Sequence, residues 1–244
     1  MPAELAATLS HTDPTGAATL ERLAADAPRY NRWLTERVAP WVGRRVMEVG
    51  AGIGNMADFF LDRERLVLAE PEAEYRSRLA ARFAGHAHVR VVPVRLPGVD
   101  GALAAERLDT VICLNVLEHI EDDGAALRAM RGLLQPGGRL VLLVPALQSI
   151  YGTLDSALGH FRRYGAHEIR VKMTAAGLRI VRLEYFNLAG ILGWWLTGRV
   201  LRRTIIPSGS LRLYDALVPL FRLERLLPWR LGQSLIAVGE VGEV

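Results

Sequence analysis

One stretch near the start of the chain decides the fold, and it reads Val46-Met47-Glu48-Val49-Gly50-Ala51-Gly52-Ile53-Gly54-Asn55. Its first residues have the character of a short β-strand, which we place at residues 45–50, and a helix is expected at 55–62. Glycine allows the main chain to turn sharply and allows a ligand to lie against it. The stretch therefore predicts the first strand and the ligand-binding turn of an α/β fold.

Two carboxylates accompany this turn. Glu48 lies two residues before the first glycine, and Glu70 ends the second predicted strand. The nicotinamide-binding turn has the spacing G-x-G-x-x-G and rests a phosphate on the following helix, whereas this chain has G-x-G-x-G. Glu48 would repel a pyrophosphate but attract a cation, and an acid at position 70 can accept hydrogen bonds from both ribose hydroxyls. The pattern favours a cationic ligand with a ribose over a dinucleotide.

Strands and helices alternate along the chain. Further strands are expected at residues 66–69, 89–94, 108–115 and 139–144, and helices at 71–84 and 122–134. This alternation predicts a parallel sheet with helices on both faces. An amphipathic helical opening is expected at 17–42, with a break or new start at Pro28. The last part of the chain is expected to hold a helix at 167–176, a strand at 178–185, helical segments at 188–203 and 211–226, and a strand at 234–241.

Composition excludes several classes of protein. The 244 residues are 50% hydrophobic and 23% charged, which suits a packed core rather than a disordered chain. A formal net charge of +4 is too small to indicate nucleic-acid binding, and no nucleic-acid partner is expected. The single Cys113 excludes an internal disulfide. No targeting peptide or apolar span of about 18 residues is evident, so a cytoplasmic protein is expected, with peripheral contact at a membrane left open.

At the glycine turn and its two acids, the chain resembles the class I S-adenosylmethionine (SAM) methyltransferases. The segments 108–120 and 134–140 resemble that family's fourth strand and the turn into its fifth. The resemblance implies a Rossmann-like, mostly parallel seven-stranded sheet whose last strand, at 234–241, is antiparallel. It also implies one domain over residues 1–244, made of a helical cap (1–43), a cofactor-binding core (44–145) and an acceptor-side half (146–244) with a helical insertion at about 188–230.

The same resemblance assigns the residues that bind SAM and the product S-adenosylhomocysteine. Glu48 would lie near the amino group of the methionine part, and the glycine turn would hold the methionine and ribose. Glu70 would bind the ribose, and the segment after strand four would flank the cofactor near its sulfonium. The full set is Glu48, Gly50, Ala51, Gly52, Gly54, Asn55, Glu70, Pro71, Asn115 and Val116. The acid that often contacts adenine after strand three is missing, and the backbone at Arg95 or Leu96 could replace it.

Two histidines are candidate bases for the acceptor. A hydroxyl acceptor gains from a group that takes its proton, and the ordinary pKa of histidine lies near neutrality. His119 follows the fourth strand, and His160 lies in a polar run after the fifth. Each could instead be a packing or capping histidine, or part of an ion-paired loop without a catalytic role. The neighbours expected to face a polar or anionic substrate are Tyr151, Asp155, Arg163 and Tyr164.

No metal is predicted from the acids. Asp122 and Asp123 are adjacent, and adjacent side chains on a helix do not face one another. Together with Glu121 they suit the start of the following helix, where a negative charge interacts favourably with the helix dipole.

The insertion is rich in arginine and tryptophan. Between residues 189 and 230 seven arginines face two acids, a balance of +5, alongside Trp194, Trp195 and Trp229. Such a segment suits an interface with anionic lipid headgroups. A substrate lid or a dimer face that buries the tryptophans is the alternative, and the sequence leaves the oligomeric state open.

These patterns lead to a functional prediction. We expect a SAM-dependent methyltransferase that methylates a hydroxyl of a small-molecule or lipid-linked acceptor, with His160 or His119 assisting. The alternative is N-methylation of an amine, in which these residues only orient the acceptor. A non-catalytic binding protein would have an eroded glycine turn, and a nicotinamide-dependent oxidoreductase would have the longer glycine spacing.

Overall fold

The computed structural model describes residue 21 and residues 25–99, 101–226 and 230–242. Within them, seven strands form one sheet: β1 (Arg45–Val49), β2 (Arg65–Ala69), β3 (Val89–Val92), β4 (Leu108–Leu114), β5 (Leu134–Pro145), β6 (Arg179–Phe186) and β7 (Ser234–Glu240). The predicted opening of the first helix at residues 17–20 and 22–24 lies outside the described residues.

The sheet has the order β3-β2-β1-β4-β5-β7-β6. Strands β1 to β5 pair in parallel, and β7 runs antiparallel to both β5 and β6. The predicted Rossmann-like sheet with an antiparallel last strand is therefore confirmed. The carboxyl ends of the parallel strands meet along one edge of such a sheet, which is where open α/β folds bind ligands.

The α-helices of the described residues are α1 (Pro28–Val38), α2 (Ala73–Arg82), α3 (Asp123–Gly132), α4 (Thr153–Ala157), α5 (Ala166–Ala175), α6 (Leu188–Trp194) and α7 (Ser208–Phe221). Pro28 begins α1, where its missing N–H costs no helical hydrogen bond. A π-helical turn over Trp195–Val200 continues α6. No helix among the described residues has both the length and the apolar character to cross a membrane.

The predicted helix at residues 55–62 is wrong. A 3₁₀ turn over Ala57–Phe60 replaces it. Only ten residues separate Gly54 from β2, and they must carry the chain from the carboxyl end of β1 to the start of β2. Ala57 and Phe60 of this turn are buried with core residues such as Leu66, so tertiary packing overrides the local helical pattern.

Apolar side chains cover both faces of the sheet, as the alternating directions of strand residues require. On one face Met47 and Val111 pack with residues of α3 and α5 such as Leu127 and Ile169. On the other face Val46, Leu66 and Ile112 pack with side chains of α1, α2 and α7, including Trp33, Leu79 and Val218. Helices therefore enclose the sheet on both sides and leave its carboxyl edge for the site.

Candidate active site

The glycine turn lies at the carboxyl end of β1. Gly50, Gly52 and Gly54 have φ angles of 69°, 54° and 85°, the left-handed region that other residues rarely adopt. A Cβ at Gly50 would lie 2.5 Å from a methyl group of Val116. The predicted segments around Gly50 and Val116 are therefore in direct contact, and the absence of side chains at the three glycines lets neighbouring groups approach the main chain closely.

Glu70 ties the turn to the end of β2. Its two carboxylate oxygens accept hydrogen bonds from Gly52 N at 2.8 Å and Glu72 N at 2.9 Å. Burial raises the pKa of Glu70 above its usual value, although both hydrogen bonds act in the opposite direction. Each carboxylate oxygen can accept a second hydrogen bond, so the side chain can hold the turn and still accept from ribose hydroxyls.

Glu48 is buried beneath the turn. It is 4% exposed, and its Oε2 has no hydrogen-bond partner in the part of the chain that the structure describes. Burial raises the pKa of this carboxyl to about 8, and the carboxylates of Asp58 and Glu70 add to the effect. A buried carboxylate without a partner is costly, and a bound ammonium would supply the missing donor. Together with the turn, this orphaned oxygen fits the amino end of SAM.

The remaining residues predicted to contact the cofactor belong to the same turn or follow the neighbouring strands. Ala51 is buried and its N–H donates to Ala69 O at 3.1 Å. Asn115 is exposed, with φ of 55°, and immediately follows β4. Asn55 and Pro71 follow the glycines and Glu70 in the chain. The Arg95 guanidinium pairs with Glu72 at 2.7 Å, so it has a partner within the protein. Contact between the Arg95 backbone and adenine stays a prediction.

His160 and Asp155 form a hydrogen-bonded pair beside the cofactor side of the site. His160 Nδ1 lies 2.9 Å from Asp155 Oδ1. Burial alone would raise the pKa of Asp155, but its hydrogen bond with His160 and the nearby Arg163 hold that pKa below its usual value. An ionised Asp155 accepts, so Nδ1 carries a proton and Nε2 keeps a lone pair. This arrangement resembles an oriented general base.

Glu118 and His119 complete the cluster around His160. The Glu118 carboxyl is fully buried, and His160 Nε2 lies 3.9 Å from its Oε1. Burial raises the pKa of Glu118 to about 8. The His119 ring lies edge-on to His160 with centroids 4.8 Å apart. Burial of its ring among neighbouring groups and the nearby His160 lower the pKa of His119 to about 4, although the residue as a whole is exposed.

Three predicted substrate contacts have partners within the protein. Arg163 is 2% exposed and donates to Asp155 at 2.7 Å. Tyr164 is fully buried, and its hydroxyl donates to Asp123 at 3.0 Å. Asp155, besides its bonds to His160 and Arg163, accepts from Gly152 N at 3.0 Å. All three side chains are buried, and their contact with an acceptor stays a prediction. Tyr151 is partly exposed and donates to His160 O at 2.7 Å.

Sequence reasoning missed two residues of the site. The sequence left Trp194 either at a lipid interface or buried under a lid or dimer face and gave it no role beside the histidine. Its indole N–H donates to Asp155 at 2.9 Å and its ring lies parallel to that of His160. The guanidinium carbon of Arg163 lies 4.7 Å from the centroid of the Trp194 ring. Glu118 was visible as an acid at the end of an apolar run, which is a signal for a buried functional carboxyl, but it received no role.

One group of side chains could hold a metal ion. Glu118, His119 and His160 each offer one ligand atom, and these three atoms lie within 4.8 Å of one another. A carboxylate with two imidazoles is a ligand set for divalent transition metals. The aspartates considered in the sequence lie elsewhere: Asp122 caps α3 through Ala125 N, and Asp123 binds Lys172 and Arg162. The prediction of no metal stays untested.

Comparison with known proteins identifies the family. A family model described as a methyltransferase domain matches residues 2–183. A ubiquinone biosynthesis O-methyltransferase from Paracidovorax citrulli is 32% identical over 172 residues, covering 65% of this chain and 71% of that protein. Its namesake from Xanthomonas euvesicatoria is 30% identical over 179 residues, covering 66% and 72%.

Solved structures share the fold. The 1,6-didemethyltoxoflavin-N1-methyltransferase of Burkholderia thailandensis, solved with S-adenosylhomocysteine bound, aligns with a TM-score of 0.59 at 18% identity, over 100% of this chain and 91% of that one. A SAM-dependent methyltransferase of Mesorhizobium loti aligns with a TM-score of 0.57 at 14% identity, over 86% and 97%. With the glycine turn, Glu48 and Glu70 in place, the chain belongs to the class I SAM-dependent methyltransferases.

Proposed function

We propose that this methyltransferase transfers the methyl group of SAM to a hydroxyl of a small-molecule or lipid-linked acceptor, with His160 as the base. The observation that carries the proposal is the hydrogen bond between His160 Nδ1 and Asp155, which leaves the lone pair of Nε2 available 3.9 Å from Glu118 Oε1. When bound, SAM would supply an electrophilic methyl on its sulfonium, with S-adenosylhomocysteine as the leaving group when the acceptor oxygen attacks that methyl.

The residues of the chain divide the remaining work. The glycine turn, Glu48 and Glu70 hold the cofactor so that its methyl and the acceptor oxygen can lie in line, and such positioning supplies much of the rate. His160 Nε2 takes the hydroxyl proton as the new C–O bond forms, and Asp155 stabilises the resulting imidazolium. Tyr151 and Trp194 fix the position of this base through His160 O and Asp155.

The similarity to ubiquinone biosynthesis O-methyltransferases supports a hydroxyl acceptor. The arrangement of Asp155 and His160 supports it independently, because a neutral amine needs no base to become nucleophilic whereas a hydroxyl does. We further propose that residues 146–244 form the acceptor-side half, since Tyr151, Asp155, His160 and Trp194 all come from it.

The test is an acceptor panel. The wild-type protein is assayed for S-adenosylhomocysteine formation with phenols that carry no, short or long hydrocarbon chains, and with the corresponding amines. We expect methylation of the phenols. His160→Ala should lower kcat by a factor of about 10² or more, the usual contribution of a general base. The His119→Ala variant, which keeps the pair of His160 and Asp155, should lose less than about tenfold.

Three controls separate the roles. His167→Ala changes an exposed histidine on α5 and should leave kcat unchanged. Asp155→Asn, a change at a positioning residue, should lower kcat and alter the acidic limb of its pH profile while the Kd for SAM stays unchanged. A chelator should leave the rate unchanged, because the proposed base needs no metal. Methylation of the amines alone, at a rate that survives His160→Ala, would overturn the proposal.

A further inference from the structure

Exposed apolar side chains are concentrated in the helical insertion, which we define as residues 188–226. It holds eleven of the fourteen large apolar side chains that are exposed in the described part of the chain: Leu192, Trp195, Leu196, Val200, Leu201, Ile205, Leu213, Leu217, Leu220, Leu223 and Leu226. Such a concentration of exposed apolar side chains in one segment is typical of an interaction site.

Helix α7 shows the arrangement most clearly. Tyr214, Asp215 and Val218 point towards α1, where Tyr214 and Tyr30 pack together. Leu213, Leu217 and Leu220 follow at intervals of four and three residues, which places them on the opposite face of the helix. Leu213 is 64% exposed and Leu220 60%. The helix is thus apolar on two faces, and the described residues cover only one of them.

The acids of the insertion are turned inward. Asp215 is buried and accepts from Tyr30 N at 2.8 Å. Glu224 accepts from Asn187 N at 2.9 Å and from Leu188 N at 2.6 Å. The sequence contains no other acid between residues 188 and 226. The exposed ionised side chains of the insertion are therefore arginines, and its outer charge is positive.

Four of the arginines at this end of the molecule line one cavity. Arg29 and Arg32 from α1 face Arg222 and Arg225 around a cavity of about 360 Å³, and Val218, Pro219 and Leu223 form its apolar wall. No acid lines the cavity in the described part of the chain, although Arg222 also pairs with Glu36 on the surface. Guanidinium groups bind phosphate oxygens in pairs, so the cavity is suited to a phosphate group.

We propose that the outer face of the helical insertion docks on an anionic lipid surface, with a phosphate headgroup in the four-arginine cavity. Exposed leucines gain free energy by entering the headgroup boundary of a bilayer. The surrounding arginines gain from the negative surface potential of that bilayer. A second protein would also cover the leucines, but the excess of exposed arginines over exposed acids in the insertion matches an anionic lipid surface in particular. The docking is peripheral and does not depend on the identity of the acceptor.

The test is sedimentation of the full chain with vesicles. Vesicles of phosphatidylcholine that contain phosphatidylglycerol are compared with vesicles of phosphatidylcholine alone, at low and at high salt. We expect binding to the anionic vesicles only, weakening as salt rises because the surface charges are screened.

Matched variants locate the contact. Arg225→Glu should lower the partition coefficient about thirtyfold, since each basic residue near an anionic surface contributes about 1 kcal/mol and a reversal counts twice. Leu213→Glu/Leu220→Glu should abolish binding. The controls are Arg128→Glu and Val171→Glu, at exposed positions on α3 and α5, which should bind as the wild type does. Thermal unfolding verifies that every variant is folded.

Five results would overturn the proposal. Absent or salt-insensitive binding would remove the electrostatic argument, and so would unchanged binding of the Arg225→Glu variant. Release from the vesicles by inorganic phosphate at matched ionic strength would assign the cavity to a free anion. A wild-type dimer that Leu213→Glu/Leu220→Glu converts to a monomer, without vesicle binding, would assign the face to a second copy of the chain.

Discussion

Glu48 carries the clearest consequence at the scale of single residues. The resemblance places an ammonium beside it, while burial raises its pKa to about 8. The carboxyl is therefore mostly protonated at neutral pH and must lose its proton to pair with the cofactor's amino group. Binding should tighten about tenfold between about pH 6 and pH 7, because the ionised fraction of Glu48 rises by that factor. Calorimetry with SAM and S-adenosylhomocysteine measures this dependence.

The test variant for Glu48 replaces its carboxyl with an amide of similar size that cannot ionise. The Glu48→Gln variant should bind SAM more weakly and lose the pH dependence, whereas Glu74→Gln, at an exposed position on α2, should retain both the affinity and the dependence. Affinity that is constant over this pH range in the wild type would show that Glu48 does not pair with the cofactor.

Residues of the site differ in how far the sequence can identify them. Glu48 and Glu70 are predictable because the spacing along one strand and the next fixes where they lie relative to the glycines. The contact between Trp194 and Asp155 joins residues 39 positions apart, and no local pattern encodes it. Arg163 and Tyr164 were predicted as substrate contacts because they are polar, but polarity does not reveal that a side chain is buried and has a partner.

At the scale of secondary-structure elements, the glycine turn limits substitution. Gly50→Ala should destabilise the protein by at least about 1–2 kcal/mol, the cost of the left-handed conformation for a residue with a Cβ. The new methyl would also collide with Val116 and displace the segment after β4. SAM affinity should therefore fall more than stability does. Denaturant unfolding and calorimetry on the same variant measure the two effects.

Gly132→Ala is the matched control for this element. Gly132 lies at the end of α3, and a Cβ there would have no atom within 4 Å. This variant should retain both stability and affinity. Equal SAM affinity in the Gly50→Ala variant and the wild type would show that the turn does not contact the cofactor.

The elements themselves were predicted unevenly. Strand positions followed from apolar runs, and all seven predicted strands are present. The prediction of a helix at residues 55–62 was wrong because a local pattern of polarity does not register how Ala57 and Phe60 pack in the core. The π-helical turn after α6 was not predicted either, since a π turn arises from packing rather than from a distinct residue pattern.

At the scale of the whole molecule, the buried acids should set how stability varies with pH. Burial raises the pKa of Glu48 and of Glu118 from the ordinary 4.5 to about 8. Between these pH values the folded chain binds more protons than the unfolded chain, so the free energy of unfolding falls as pH rises. Ion pairs with Arg65 and Arg90 hold the pKa of Glu106 at about 2, so its contribution is lost as pH falls towards 2.

Stability without ligand should therefore be highest near about pH 4.5 to 5 and decline towards pH 8. Thermal unfolding across this range measures the decline. The Glu48→Gln/Glu118→Gln variant should flatten the curve on the alkaline side, while Glu74→Gln should follow the wild type. A wild-type Tm that rises steadily from pH 5 to pH 8 would contradict the assignment of these two groups.

The sheet order was predictable only through the family resemblance. Alternating strands and helices predict parallel pairing, and they do not show that the last strand enters between β5 and β6. The antiparallel placement of β7 depends on main-chain pairing over Ser234–Glu240 with both neighbours, which joins residues far apart in sequence.

The position of β7 also governs the order in which the chain can fold during its synthesis. Strand β6 is made before β7, yet the two neighbours of β7 are separated in the sheet until β7 joins them. Strands β1 to β5 can pair as they leave the ribosome, whereas one edge of β5 stays unpaired until residues 234–240 have emerged. A nascent chain at that stage carries an open strand edge, which is the feature that templates aggregation. The cofactor-binding half can thus form early, while the acceptor side reaches its final shape only with the last strand.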